Sequence, residues 1–435
     1  AQWCEASKGL HGLDCLDCPY QAAKAQALQS RLVIANYAYW VSLARHSGPD
    51  DYPLGRFDTL ILDEAHNAPW GLCDLLSIRY SPSLLNVLGC GLPTEPDQAA
   101  SWKTWAVASL VRLNRLDAWS DEALLAAAGG ARLRGHCIRR QAKEALRATA
   151  AIEGPWASDR DDQTGAWSLT PVQPYRYAEA WLFQRIPKVV LMSGTITRKT
   201  LSRLGVSHDR YDWHTYPYGF PRRQAPIYWY QRKEVPLNIR HNMSDDTRHS
   251  WLSAICSIID KRSDRKGIVH GGSYKRCREI VEFWRKLHPD REHLVLTHTA
   301  RELHNAVAAF KASRSPVYIV SPSLTTGYDF PGDECEVCII AKLPFPYSVS
   351  NLHKARQKDD SMYSIEIMFQ ELIQGSKRGM RSAEDWCETF IVDDSLRFAL
   401  ARGRSMLPAW FSIKQTSFIP KAPMKIKDRQ SLESD

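Results

Sequence analysis

The chain has 435 residues, 44% of them hydrophobic and 24% charged, which excludes a disordered or fibrous protein and leaves room for two or three domains. No apolar run is long enough to span a bilayer, so we expect no membrane partner. The net charge of +9 permits a nucleic-acid partner, and an odd number of cysteines, eleven, argues against a disulfide framework and favours a reducing, cytoplasmic location.

The first segment of the chain, residues 1–20, holds three cysteines: Cys4, Cys15 and Cys18. Cysteines this close together in a loop-rich segment are typical of metal or iron–sulfur ligation. His11 lies between them, so a zinc site with three cysteines and one histidine is an alternative, as is no metal at all. A thioredoxin-like pair at Cys15 and Cys18 is less favoured, because no strand pattern precedes it.

An acidic pair at the end of an apolar strand is the strongest catalytic signal. Residues 21–30 favour a helix and 32–35 a strand, and Leu60–Leu62 predicts a buried parallel strand that leads into Asp63-Glu64-Ala65-His66. Ligands of open α/β sheets bind at the carboxyl ends of strands, where an Asp can hold a phosphate-bound Mg²⁺ and a Glu can activate the attacking water. The alternative is a strand followed by an acidic helix cap.

From about residue 67 to 156, strand patterns fade and helical patterns follow, which predicts a helical insertion. The helical stretches are 99–114, 121–128 and 131–148. The last is made basic by Arg132, Arg134, Arg139, Arg140, Lys143 and Arg147. These side chains either form a solvated helix face or contact phosphates along a nucleic-acid path.

A further apolar strand, 188–192, is followed by Ser193-Gly194-Thr195. Small hydroxyl residues at the carboxyl end of a strand can hydrogen-bond the Asp63-Glu64 segment, although the same three residues are as typical of a turn. Ser193 and Thr195 are therefore candidate site residues.

A second α/β unit is predicted after about residue 200, because strand and helix patterns alternate again. The predicted strands are 225–230, 267–270, 294–297, 317–320, 335–341 and 389–392. The predicted helices are 247–259, 276–287, 300–312 and 364–373. Tyr216–Pro221, rich in Pro and Tyr, predicts an interdomain connector, and residues from Met406 on predict a loosely ordered basic tail.

Two stretches of this second unit carry chemical signals. In Thr325–Phe330, Gly327 allows the backbone to approach a ligand, and Asp329 can accept a hydrogen bond from a ribose or from another loop. Further on, Arg378 and Arg381 are three residues apart, which places them on one helix face. Two such arginines can clamp a γ-phosphate, whereas the alternative is an exposed basic helix start paired with Glu384 and Asp385.

Taken together and in this order, these stretches resemble the XPD/DinG family of iron–sulfur, superfamily 2 DNA helicases. The matching pieces are Cys18-Pro19-Tyr20, Ala35–Tyr39, Asp63–His66, Ser193–Thr195, Thr326–Asp333, Leu343–Pro346 and Gln374–Ser382. Each motif is weak alone, but the ordered set is hard to obtain by accident, and it covers nearly the whole chain.

The resemblance implies an α/β fold with two RecA-like motor domains, the first of them incomplete, a helical arch-like insertion and part of an Fe–S segment. The implied domains are 1–20 for the Fe–S cluster segment, 21–66 and 161–200 for motor domain 1, 67–160 for the arch-like insertion and 201–435 for motor domain 2.

The resemblance also implies roles, position by position. Asp63 is the Mg²⁺ ligand and Glu64 the water-activating base, while His66, Ser193 and Thr195 link hydrolysis to the grip on DNA. The residues that face the nucleotide from the second domain are Gly327, Asp329, Gln374, Arg378 and Arg381. The cofactors are ATP, Mg²⁺ and a [4Fe–4S] cluster, for which the implied ligands are Cys4, Cys15 and Cys18.

The chain departs from the family pattern at two places. Lys377 stands just before the first arginine, where the family usually has Gly. No G-x-x-x-x-G-K-[ST] phosphate loop is found, and the first methionine is Met192. We therefore expect the phosphate loop to lie upstream of Ala1, the chain to be N-terminally incomplete, and this polypeptide alone to hydrolyse ATP poorly.

The implied function is that of an ATP-dependent DNA helicase that moves 5′ to 3′ on single-stranded DNA, unwinds forked DNA and acts as a monomer, with DNA repair as one setting. The alternative is a non-catalytic Fe–S or zinc DNA-binding module that has lost its phosphate loop. A nuclease with the same motor is a third possibility, but the sequence has no additional compact acidic cluster that would favour it.

Overall fold

The computed structural model describes residues 19–46, 54–116, 119, 133–232, 235–240, 242–325, 327–346 and 349–421. The chain divides into two compact units. The first comprises Ala1–Asp212 and Tyr347–Asp360, and the second comprises Trp213–Pro346 and Ser361–Asp435. No sequence pattern predicts that residues 347–360 belong with the first unit.

Strands and helices alternate in both units. The strands are β1 (Thr59–Leu62), β2 (Ile78–Tyr80), β3 (Trp156–Arg160), β4 (Trp167–Pro171), β5 (Lys188–Leu191), β6 (Ile227–Tyr230), β7 (Gly267–His270), β8 (Val295–Thr297), β9 (Tyr318–Ser321), β10 (Val337–Ile340), β11 (Glu388–Ile391) and β12 (Ile413–Thr416). The main helices are α1 (Pro19–Gln29), α2 (Tyr37–His46), α3 (Ala68–Leu76), α4 (Pro82–Leu88), α5 (Ala99–Leu113), α6 (Leu133–Ala150), α7 (Arg198–Arg203), α8 (Asp245–Asp260), α9 (Tyr274–Leu287), α10 (Leu303–Ala312), α11 (Asn351–Asp359), α12 (Tyr363–Ser376) and α13 (Ser395–Gly403). Among the residues that the structure describes, no helix is both long and apolar enough to cross a membrane.

In the first unit, β1 and β5 form a two-stranded parallel sheet, with Leu62 opposite Leu191. One face of this pair packs on an apolar cluster that includes Val41, Leu62 and Leu72. The other face is open, since Ile61 is 58% exposed. The predicted parallel strand at 60–62 is confirmed, but the prediction that it is buried on both faces is wrong, because a two-stranded sheet here has only one packed face.

The predicted helical insertion contributes two strands, β2 and β3, to a sheet that β4 completes just after it. The three strands β2, β4 and β3 pair antiparallel in that order, and α5 and α6 pack nearby. Trp102 of α5 lies between Tyr80, with ring centroids 4.9 Å apart, and Trp167, 5.8 Å apart. Sequence patterns missed these strands because the segment's aromatic residues also fit amphipathic helices.

In the second unit, seven parallel strands form one sheet in the order β12-β6-β11-β10-β7-β9-β8. The central strands are buried on both faces, so that Ile268 of β7 contributes to one apolar cluster and its neighbour Val269 to the other. This is the pattern of a parallel sheet covered by helices, and it confirms the predicted α/β class.

Two helices of this unit, α8 and α9, begin after a serine, a residue that the first turn of a helix favours. The Ser244 hydroxyl accepts the Thr247 N–H at the start of α8, and the Ser273 hydroxyl accepts the Arg276 N–H at the start of α9. Each cap satisfies a backbone donor that the helix itself cannot satisfy. Both helices then bury apolar faces against the sheet.

Two further sequence predictions are corrected by the fold. Residues 32–35 form no strand; instead the Asn36 side chain accepts the Tyr39 N–H at 2.7 Å and starts α2. The predicted loose tail includes β12, which pairs with β6 in the register Ile413 with Ile227. Both errors have one cause, namely that an edge strand depends on an available partner more than on its own residues.

Candidate functional site

The acidic pair Asp63-Glu64 lies in a tight turn directly after β1. Glu64 adopts a left-handed conformation, with φ 48° and ψ 40°, which non-glycine residues adopt at a cost of about 1–2 kcal/mol. The turn is held by backbone contacts, since the Ala65 N–H donates to the Met192 carbonyl at 2.9 Å. Such strain persists only where neighbouring contacts impose it, and it clusters at functional sites.

His66 and Ser193 meet because β1 and β5 end at the same edge of their sheet. His66 Nδ1 lies 2.7 Å from Ser193 Oγ and 3.2 Å from Glu64 Oε2. The Ser193 hydroxyl donates to Glu64 Oε2 at 3.1 Å, and the Thr195 N–H donates to Ser193 Oγ at 3.1 Å. The structure therefore brings together Glu64, His66, Ser193 and Thr195, four of the residues that the sequence singled out.

The electrostatics of this group keep the histidine neutral. Burial lowers the pKa of His66, and the nearby Glu64 carboxylate opposes that shift without reversing it. A neutral imidazole can accept or donate a hydrogen bond at Ser193, whereas the Glu64 carboxylate is about half exposed. An exposed carboxylate that one hydroxyl orients has the arrangement of a general base.

Asp63 can supply one ligand of a site for a divalent cation. Its side chain is exposed, and its Oδ1 accepts the Glu64 N–H at 2.9 Å. Mg²⁺ usually binds through one or two carboxylates together with waters and substrate phosphates, so a single aspartate is enough on the protein side. Among the described residues, no group of three or more Asp, Glu, His or Cys side chains can hold a metal ion.

The second unit places Arg378 under a loop. Its guanidinium donates to the Thr325 carbonyl, from Nε at 2.7 Å, and to the Tyr328 carbonyl at 3.0 Å. The residue is 7% exposed. Arg378 thus holds the carbonyls of Thr325 and Tyr328, and Gly327, next to Tyr328, has a φ of +85° that favours glycine.

Arg381 differs from Arg378 in being partly exposed, at 38% of its side chain. It forms an ion pair with Asp329, whose carboxylate also lies 3.8 Å from Arg378. The backbone N–H of Arg381 donates to Asp385 at 2.6 Å, so Asp385 holds the main chain of this turn. The two arginines share one carboxylate, Asp329, and differ in exposure.

The prediction that Arg378 and Arg381 lie on one helix face is wrong. Helix α12 ends at Ser376, and the arginines follow in a turn, while Gln374 lies on the helix's last turn. A Cβ at Gly379 would clash with the Cys335 carbonyl oxygen, so the chain approaches its neighbour more closely than a side chain allows. The chain makes this close approach where the helix has ended and a non-helical turn has begun.

His270 is a residue of this region that sequence reasoning missed. It ends β7, it is 4% exposed, and neither of its ring nitrogens has a hydrogen-bond partner among the described residues. Burial, with a further contribution from the Arg378 guanidinium, lowers the pKa of His270 to about 4. A histidine at the end of an otherwise apolar strand was the one sequence signal for it.

The lowered pKa of His270 predicts that the folded protein loses stability in acid. Between its ordinary pKa of 6.5 and about 4, the unfolded chain binds more protons than the folded chain, so stability falls as the pH drops through this window. We expect the free energy of unfolding of His270→Leu, relative to that of the wild type, to rise by about 2 kcal/mol when the pH is lowered from 7 to 5. Urea unfolding at both pH values measures this, with the exposed His304→Leu as the matched control. If the difference in free energy of unfolding between His270→Leu and the wild type is the same at both pH values, the prediction is wrong.

Cys4, Cys15 and Cys18, which the sequence analysis predicted as cluster ligands, lie outside the described residues. The free cysteines within the described ranges are Cys73, Cys90, Cys256, Cys277, Cys335, Cys338 and Cys387. Burial raises the pKa of Cys73, Cys256 and Cys277 to about 12, which is typical of unreactive core thiols.

Comparison with known proteins gives three findings. Residues 255–413 match the family model of the helicase C-terminal domain. A solved XPD helicase structure is similar over 95% of this chain and 81% of its own, with 14% identity and a TM-score of 0.51. A structure of apo XPD covers 87% of this chain and 81% of its own, with 13% identity and a TM-score of 0.49. No curated protein sequence matches the chain.

These findings support a helicase-family protein. Apart from residues 347–360, which belong with the first unit, the match lies in the second unit, and it includes His270, Asp329, Arg378 and Arg381. The likeness to the XPD helicase structure shows a shared fold, so the predicted α/β fold of the helicase type is confirmed.

Proposed function

We propose that this protein is an ATP-dependent DNA helicase. The observation that carries the proposal is the grouping of Glu64, His66 and Ser193 at the carboxyl ends of two parallel strands, in a chain whose second unit matches the helicase C-terminal domain. A carboxylate pair in that position is the arrangement that nucleotide hydrolysis needs.

The first unit supplies acid–base chemistry in this proposal. Asp63 would hold the cation through its exposed carboxylate, and a bound Mg²⁺ ion would supply charge neutralisation for the phosphates. Glu64 accepts a proton from water, while the Ser193 hydroxyl holds its Oε2 in place. His66, neutral and buried, fixes Ser193 from the other side.

The second unit supplies the positive charge. Arg381 is partly exposed and exchanges its Asp329 partner for a phosphate oxygen when nucleotide binds. Arg378 holds the Thr325–Tyr328 loop, so that Asp329 and Gly327 are kept in place for the nucleotide. Gln374 lies on the last turn of α12, just before these arginines, and in the proposal it faces the same nucleotide.

The partner is single-stranded and forked DNA, bound mainly through phosphates, with movement from 5′ to 3′. The net charge of +9 agrees with a polyanionic partner. A similar solved protein is an XPD helicase, and we extend that activity to this chain. Cys4, Cys15 and Cys18 hold a [4Fe–4S] cluster in this proposal, for which iron, sulfide and zinc content of protein purified without oxygen is the direct measurement.

The proposal is tested with protein expressed from its complete reading frame. We expect single-stranded DNA to stimulate ATP hydrolysis at least tenfold, and a fork with a 5′ single-stranded arm to be unwound faster than one with a 3′ arm. Colorimetric phosphate release and a fluorescent strand-displacement assay measure the two activities. Equal unwinding of both forks would contradict the direction alone.

The alternative function is a non-catalytic DNA-binding module, since the sequence contains no G-x-x-x-x-G-K-[ST] phosphate loop. It predicts salt-dependent DNA binding with no ATP hydrolysis by the protein from the complete reading frame. That result would overturn the helicase proposal, because a DNA helicase of this type requires hydrolysis for each step.

A further inference from the structure

A side chain from outside the β1–β5 pair contacts the Asp63-Glu64 turn. Tyr37 is the first residue of α2, and its hydroxyl donates a hydrogen bond to the backbone carbonyl of Asp63 at 2.7 Å. The motif Ala35–Tyr39 helped to define the family resemblance but received no role. Tyr37 therefore has a contact with the candidate site that the proposed function leaves unused.

The carbonyl that Tyr37 contacts is at the point where the chain leaves the sheet. Within the strand pair, the Leu62 carbonyl accepts the Met192 N–H at 2.9 Å, and two residues later Glu64 is in the left-handed conformation. Successive carbonyls of a strand point to opposite sides, so the Asp63 carbonyl faces the edge of β1 that has no strand partner among the described residues and takes its donor from elsewhere. The Tyr37 hydroxyl is that donor.

The position of Tyr37 is itself fixed by α2. The Trp40 indole N–H donates to the Leu182 carbonyl at 2.7 Å, and Val41 is 1% exposed in the apolar cluster under β1. A donor on an anchored helix can hold a strained turn in one conformation.

We propose that Tyr37 is a positioning residue for ATP hydrolysis, which acts by fixing the main chain of Asp63 and thereby the directions of the Asp63 and Glu64 carboxylates. The inference rests on the proposed function. Tyr37 contacts no reacting atom; without its hydroxyl the strained turn relaxes, and both carboxylates move relative to the cation and the attacking water.

The test is Tyr37→Phe, which removes one hydroxyl and keeps the ring. Tyr39→Phe is the matched control, because the Tyr39 hydroxyl lies 3.4 Å from the Tyr20 hydroxyl and away from the acidic turn. In protein from the complete reading frame, we expect Tyr37→Phe to lower kcat for DNA-stimulated ATP hydrolysis about tenfold and to raise the half-saturating Mg²⁺ concentration about fivefold. The Kd for single-stranded DNA should stay unchanged, and so should both parameters in Tyr39→Phe.

Hydrogen exchange gives a readout that does not need hydrolysis. We expect the peptide 60–67 to exchange roughly fivefold faster in Tyr37→Phe than in the wild type or Tyr39→Phe, at matched melting temperatures. Faster exchange together with the changed kcat and Mg²⁺ dependence supports the inference. If the wild type hydrolyses ATP and Tyr37→Phe matches it in kcat and Mg²⁺ dependence, the inference is overturned alone. A wild type without hydrolysis overturns the proposed function and the positioning role together.

Discussion

Glu64→Gln is expected to lower DNA-stimulated ATP hydrolysis about a thousandfold, while DNA binding stays within a factor of two. Glutamine keeps the shape of the side chain and can still accept the Ser193 hydroxyl that now bonds Oε2 at 3.1 Å. It cannot take a proton from water, so the loss falls on kcat. Since Glu64 is about half exposed, we expect little change in stability.

The measurement is steady-state phosphate release by protein from the complete reading frame, with and without single-stranded DNA. Glu179→Gln, an exposed glutamate of the same unit, is the matched control and should keep the wild-type rate. Substantial turnover by Glu64→Gln would remove Glu64 from the role of base. A loss of DNA binding in the same variant would mean that the carboxylate acts on the structure of the site rather than on the proton.

The two arginines are expected to separate into a structural and a catalytic residue. Arg378→Ala leaves the Thr325 and Tyr328 carbonyls without their charged donor, which should destabilise the protein by about 3 kcal/mol and abolish hydrolysis as well. Arg381→Ala removes a partly exposed side chain whose ion-pair partner, Asp329, is 65% exposed. It should change stability by less than about 0.5 kcal/mol and lower kcat at least a hundredfold.

Urea unfolding and ATP hydrolysis, measured on the same preparations, separate these outcomes. Arg378→Lys keeps the charge without the planar fork and serves if Arg378→Ala does not fold. Arg301→Ala, an exposed arginine of the second unit, is the control and should change neither quantity. Equal losses of stability in Arg378→Ala and Arg381→Ala would contradict the division, and so would full activity in Arg381→Ala.

Local patterns predicted the second unit well. The strand over 267–270 was placed at its observed bounds, and the helix predicted over 247–259 is Asp245–Asp260. These elements carry their own signals, a continuous apolar run in one and a serine cap with amphipathic spacing in the other. Elements that depend on a distant partner were missed, as β12 and the strands β2, β3 and β4 illustrate.

In the candidate site, too, some features have a local sequence signal and others do not. Asp63, Glu64, His66 and Ser193 are recognisable in sequence because adjacent residues of distinct chemistry follow apolar strands. That Tyr37 reaches the Asp63 carbonyl, and that Arg378 is buried while Arg381 is not, had no sequence signal. Both depend on contacts between segments separated along the chain, which no local pattern encodes.

The amino-acid sequence by itself determined the α/β class, the acidic turn after an apolar strand and the order of the motifs, because each depends on neighbouring residues. Only the tertiary structure decided which face of β1 is buried, that residues 347–360 belong with the first unit, and which arginine holds a loop. The physical reason is that burial and hydrogen-bond partners are set by which segments meet in the folded chain, and that meeting is a property of the whole core rather than of any one stretch.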